Sequence, residues 1–194
     1  MIPPLSPALA EIVQQYRTDN DIAHLIERAT ALAAHADPDA LMSAATPYVD
    51  IPEVVGPLYE RVVESQPDNA RALVGLANAY WLSGRGPEIV GALATRALAA
   101  DPENRGAWHL WALAESRPRE RMERWRAVAA HFANDDLARA SLADNAVAVA
   151  GAEQDPVALA VAIDTYIELR GRATSTDQVA ALDGALRTLR NWKL

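Results

Sequence analysis

The sequence has no cysteine, which excludes disulfides and thiolate metal sites. Its only lysine is Lys193 and its only phenylalanine is Phe132. No apolar run reaches the roughly 18 residues of a membrane span, so no membrane association is expected. The first residues, MIPPLSPALAEIV, carry no basic residue before their apolar part and do not read as a signal peptide, so a cytoplasmic home is expected. Catalytic signatures are missing too. Gly84-Arg85-Gly86 lacks the Lys-Ser/Thr of a phosphate-binding loop, and Ser83 and Ser141 sit in no nucleophile elbow. His24, His35, His109 and His131 form no pair at metal-binding helical spacing. The expectation is no cofactor, no metal and no enzyme.

Charge is also unevenly supplied. The 194 residues carry a net −8. Residues 1–69 hold 11 Asp and Glu against 3 Arg, and residues 70–194 hold 15 acidic against 15 basic, so the whole excess lies in the first third. Nucleic-acid binding needs phosphates neutralised by Lys and Arg, so no nucleic-acid partner is expected.

What is present is helix. In the stretch from Ala70 to Asn104, Leu73, Leu76, Ala77 and Tyr80 share one helical face. Gly84 ends that helix, because glycine takes a left-handed cap without strain. Pro87 and Glu88 suit the first turn of a second helix, whose apolar side is Val90, Leu93, Ala94, Ala97 and Leu98. Asp101-Pro102 stops it. Pro67 to Pro102 and Asn69 to Asn104 both span 35 residues.

This stretch resembles the tetratricopeptide repeat, whose pattern is W-x2-L-G-x2-Y, then A-x3-F, then P. Here it stands as Leu73-x2-Leu76-Ala77-x2-Tyr80, with Ala97 and Pro102 also matching, while Val90 and Ala94 depart from it. The resemblance implies an all-α fold: a right-handed superhelix of antiparallel helix pairs, with about eleven helices. It also implies a non-catalytic protein-interaction scaffold or adaptor that holds a peptide or protein segment in a concave groove. Two alternatives stay open: a self-association module forming a homo-oligomer, and a regulatory domain of a larger enzyme complex.

The same organisation reads outward along the chain. One repeat domain is expected over 1–194, with an N-terminal helix pair at 1–37 that lacks the signature. Repeat-like pairs follow at 38–69, 70–104, 105–135 and 136–173, and a capping helix at 175–193. Ser6-Pro7 opens the first helix, with Leu9, Ile12, Val13 and Tyr16 inward. Ile22, Leu25, Ile26, Ala29, Leu32 and Ala33 give the second helix its stripe. Pro47 breaks the third helix early. Trp108, Trp111, Ala112 and Glu115 take the places of Leu73, Leu76, Ala77 and Tyr80. The alanine-rich helix from Leu137 to Ala150 leaves two faces open: Leu137, Ala140 and Ala143, or Leu142, Ala146 and Val149. Its partner carries Val157, Val161, Ala162, Tyr166 and Leu169 and is capped by Gly171. Val179, Leu182, Leu186 and Leu189 face inward on the last helix.

Two polar features compete with function. Arg117 to Arg126 holds five arginines. Arg119 with Glu123, and Glu120 with Arg124, stand four apart and are expected to pair along a solvated helix face rather than bind an anion. Asp144-Asn145 is expected to lie on a solvated face rather than in a groove.

By the resemblance, Val74, Asn78, Trp81, His109 and Leu113 line the groove. Asn78 falls where some family members place an asparagine that clamps a chaperone's C-terminal carboxylate. Val74 and Leu110 stand where that clamp needs Lys and Asn, so the clamp itself is not expected. Leu76, by contrast, belongs between helices. Leu76→Ala is expected to lower stability by about 2–5 kcal/mol in chemical unfolding; a loss below about 1 kcal/mol would contradict that placement.

Overall fold

A computed structural model describes residues 5–193. The described residues form eleven α-helices and a 3-10 turn, with no strand. They divide into two compact units, one ending at Leu110 and one beginning at Trp111.

The first unit contains α1 (Leu5–Asp19), α2 (Ile22–Ala33), α3 (Pro38–Ala45), α4 (Pro52–Ser65), α5 (Ala70–Leu82) and α6 (Pro87–Ala100), with the start of α7 (Arg105–Leu113). Helix α2 packs on α1 and α4, α4 on α3 and α5, and α5 on α6. Pro47 turns the end of α3 into the 3-10 turn Thr46–Tyr48, since a proline nitrogen cannot continue the α-helical ladder. Leu25, Ala29 and Ala33 of α2 are buried, but Ile22 is 47% and Ile26 40% exposed. The apolar stripe on α2 is wider than its buried ridge, which is Leu25, Ala29 and Ala33 at i, i+4 and i+8.

Helix α5 ends as expected. Gly84 has φ +71°, the Gly84 N–H bonds to the Trp81 carbonyl at 3.1 Å, and the Arg85 N–H to that of Tyr80 at 2.9 Å. This paired closure satisfies carbonyls that the helix end leaves open. Gly86 follows at φ +97°, also a glycine conformation, and delivers the chain to Pro87 at the first turn of α6.

The junctions between pairs repeat one device. Asn69 accepts from the Ala72 N–H at 3.0 Å, Asn104 from Ala107 at 3.1 Å, and Asp135 from Ala138 at 3.0 Å. Each capping residue also donates its own N–H to the carbonyl three residues earlier: Gln66, Asp101 and Phe132. A side-chain oxygen thus takes up a helix-start N–H that would otherwise be unsatisfied.

Helices α4 and α5 approach closely because Gly75 has no side chain. A Cβ there would stand 2.6 Å from the Tyr59 ring, which is buried. Burial is the main cause raising the Tyr59 phenol's pKa, while the nearby Arg71 charge pulls the other way.

The second unit contains α8 (Pro118–His131), α9 (Asp136–Glu153), α10 (Pro156–Arg172) and α11 (Thr176–Arg190). On α9 the face settles on Leu142, Ala146 and Val149, joined by Ala138, Ala143 and Ala150, while Leu137 is 64% exposed. On α10 the buried set is Ala158, Ala162, Thr165 and Leu169, and Val157 in the first turn is 70% exposed. Gly171 does not cap α10. The helix runs through it to Arg172, and Ala173 leaves at φ −64°, a conformation open to any residue. Leu186 and Leu189 of α11 are buried, with Val179 and Leu182 half-buried.

The arginine strip departs from expectation in part: Arg126 does pair along the helix, with Glu123 at 2.7 Å, but other arginines reach further. Arg119 reaches Glu153 and Asp155 at 2.5 and 2.6 Å rather than Glu123. Arg121 donates to Asn145 at 2.7 Å, and Arg124 bonds Glu115 at 2.7 Å with its guanidinium 4.6 Å above the Trp111 ring. The Arg117 guanidinium bonds the same Glu115 carboxylate at 3.1 Å. Tyr166 donates to Asp144 at 2.6 Å, and Asn145 donates back to the Ser141 carbonyl at 2.8 Å. Asp144 and Asn145 therefore tie α9 to α10 and α8 rather than merely facing solvent.

The packing of α4 against α5 is testable with two glycines. Gly75→Ala must displace the Tyr59 ring and is expected to cost about 1–3 kcal/mol in chemical unfolding. Gly56→Ala on α4 meets nothing within 4 Å and is expected to gain about 0.4–1 kcal/mol. Equal effects of the two would contradict the Tyr59–Gly75 contact.

Glu115 gives a second test. Hydrogen bonds from the Arg117 side chain and backbone, with the Arg124 charge, hold its carboxyl at about 2 instead of 4.5, against the effect of burial. Because the folded value is the lower one, Glu115 contributes stability that is present above pH 4.5 and lost as pH falls toward 2. Thermal unfolding across that window should therefore show a shallower pH dependence for Glu115→Gln than for the native chain; parallel curves would contradict it.

Candidate functional site

The residues expected to line a groove start from α5. Leu73, Leu76 and Ala77 turn inward and are buried. That orientation presents Val74, Asn78 and Trp81 on a second stripe at i, i+4 and i+7. Val74 and Asn78 are half-buried, and Trp81 is 38% exposed at the last turn of the helix. A tryptophan left this open at a helix end places a large apolar surface in water.

Val74 is also a packing residue. Its Cγ1 lies 3.0 Å from where a Cβ on Gly106 would stand, so α7 comes up against α5 at this point. His109 follows Gly106 by three residues and shares its side of α7, where it is half-buried. The first unit therefore brings the α5 stripe and the His109 side of α7 together at Val74. Leu113, at the end of α7, is half-buried and belongs to the second unit.

A neighbouring hollow of about 300 Å³ lies against the start of α5 and is lined by Asp39, Met42 and Ser43 of α3, by Thr46 of the 3-10 turn, and by Asn69 and Arg71. The α3 residues escaped the sequence-based set. Their signal was available: with Leu41, Ala44 and Ala45 buried, spacings of three, one and three put Asp39, Met42, Ser43 and Thr46 on the opposite face. Arg71, Val74, Asn78 and Trp81 continue that surface along α5 at helical spacing.

Its chemistry is mixed polar and apolar. The Asn78 amide can both donate and accept, Asp39 and Arg71 offer one charge of each sign, and Met42 and Trp81 are adaptable and rigid apolar contacts. Among the described residues, no cluster of three or more His, Asp or Glu could hold a metal ion. No described helix is long and apolar enough to cross a membrane.

Comparison with solved structures gives an all-helical, tetratricopeptide-repeat-like fold. A crystal structure of MamA superposes with a TM-score of 0.61 at 17% identity, over 81% of this chain and 94% of that one. TTC0263, a thermophilic tetratricopeptide-repeat protein of Thermus thermophilus, superposes with a TM-score of 0.58 at 14% identity, over 94% and 98%. A MamA RS-1 double mutant gives 0.59 at 14% identity, over 90% and 100%. No family model matches the chain, and no curated protein does. At such low identity the likeness defines the fold, a stack of helix pairs of the tetratricopeptide-repeat type.

Proposed function

We propose that this chain is a non-catalytic protein-binding scaffold that holds a peptide or protein segment on the first unit. The binding surface is the α3–α5 face continued to α7: Met42 and Arg71 at one end, Val74 and Asn78 in the middle, Trp81 and His109 toward the other. The observation that carries this reading is the exposure of Trp81 on a helix whose opposite face is fully packed. The repeat-like fold supports it, because such folds present helix faces side by side as extended surfaces.

In this reading Trp81 is the anchor, since buried aromatic side chains dominate interface energies. Asn78 hydrogen-bonds the partner's backbone. The ordered turn at Gly84 holds Trp81 at a defined position on the last turn of α5, which limits the ordering cost on binding.

The experiment compares partners recovered from cell lysate by the native chain and by Trp81→Ala, with helix content checked by circular dichroism. Trp81→Ala is expected to lose at least about 2 kcal/mol of affinity for the recovered partner, roughly thirtyfold. Recovery of the same partners with equal affinity by the folded variant would overturn the assignment.

A further inference from the structure

A second surface lies apart from the one assigned above, in the trench between α2 and α4. Two hollows of about 140 and about 280 Å³ share Thr30, Pro57 and Glu60, so they run into one another along the two helices. Each is smaller than the roughly 300–1,000 Å³ of a small-molecule pocket. Their size suits side chains inserted from an extended or helical segment.

The trench has a distinct chemistry on each wall. Helix α2 contributes Ile26 and Thr30, and Ile26 is 40% exposed. Ile22, one turn earlier on the same side, extends this apolar edge. Helix α4 contributes Glu53, Glu60 and Glu64 at i, i+7 and i+11, a row on one face. Two arginines also line the trench, against these three carboxylates. Arg61 pairs with Glu64 at 3.3 Å, and Arg85 lies 5.2 Å over the Tyr80 ring. Tyr80 in turn donates to Glu60 at 2.7 Å, and its phenol is pushed up to about 12, chiefly by burial and then by that bond. This trench sits in the part of the chain where 11 acidic residues face 3 arginines. A net acidic excess of this kind attracts cationic segments and speeds their arrival.

We propose that the α2–α4 trench is a second docking surface, and that its occupant is a Lys/Arg-bearing amphipathic segment of a partner protein. Aliphatic side chains of the segment enter beside Ile26, and its cations face the acidic wall at Glu53. Apolar contact supplies the burial, and charge complementarity selects the partner.

The test uses the full chain and phage-displayed random 12-residue peptides as the probe. Enriched peptides are expected to combine Lys or Arg with Leu, Ile or Val, and to bind more weakly as salt rises. Synthetic copies should lose at least tenfold in affinity for Ile26→Ser and for Glu53→Lys, yet bind Trp81→Ala like the native chain. Circular dichroism checks each variant, and Glu53→Lys serves where Ile26→Ser fails to fold. Absence of enrichment, enrichment of acidic or neutral sequences, or affinities unchanged by both substitutions would overturn the proposal. Peptides lost with Trp81→Ala alone would also overturn it, while leaving the α3–α5–α7 surface standing.

Discussion

The first unit depends on the close approach of α5 to both of its flanks. Two consecutive residues set it. Gly75 admits the Tyr59 ring from α4, and Val74 fits against Gly106 of α7. In each contact a glycine removes the Cβ that would hold the helices further apart. The buried alanines continue the theme: Ala72, Ala77 and Ala79 on α5, and Ala94 and Ala97 on α6. Small residues bring backbones together, and large ones such as Leu73, Leu76 and Leu58 fill what is left. Helix α5 is thereby fixed in position, and Asn78 and Trp81 are carried on a rigid element rather than a loop.

The second unit solves the same stacking problem with more polar material. Glu115 stands where the first unit has Tyr80. Tyr80 reaches across to a carboxylate on α4, whereas Glu115 is itself the carboxylate and gathers Arg117 and Arg124. Tyr166–Asp144 and Arg121–Asn145 repeat that kind of link between successive helices. A buried carboxylate tolerates this position because charged hydrogen bonds replace the water it has lost. Arg119, Arg121 and Arg124 of α8 thus serve as cross-braces, while Arg126 pairs along the helix with Glu123.

Much of this was legible in the sequence, and what was not has physical causes. The α5–α6 hairpin was readable because its punctuation is strong: Asn69 caps, Gly84 turns, Pro87 restarts and Asp101-Pro102 stops. On α9 nearly every face is apolar, so hydrophobic periodicity cannot phase the helix and Leu137 was as plausible inside as out. Val157 and Ile22 sit in first turns and are left exposed there. Gly171 looked like a cap but has no left-handed turn to make, since Ala173 exits in an extended conformation. The partners of Arg119 lie 34 and 36 residues away, beyond any rule based on spacing within one helix. The trench escaped notice because Glu53, Glu60 and Glu64 read as an ordinary solvated face until Ile26 is seen across from them.

The central claim is that α5 is a rigid frame clamped on both flanks. Amide hydrogen exchange of the isolated full chain tests it most directly, because exchange reports the free energy of local opening. The account predicts that amides from Leu73 to Ala79 are among the slowest in the first unit, with the first turn of α2 around Ile22 far faster. Exchange of α5 as fast as that of the α2 start would contradict it.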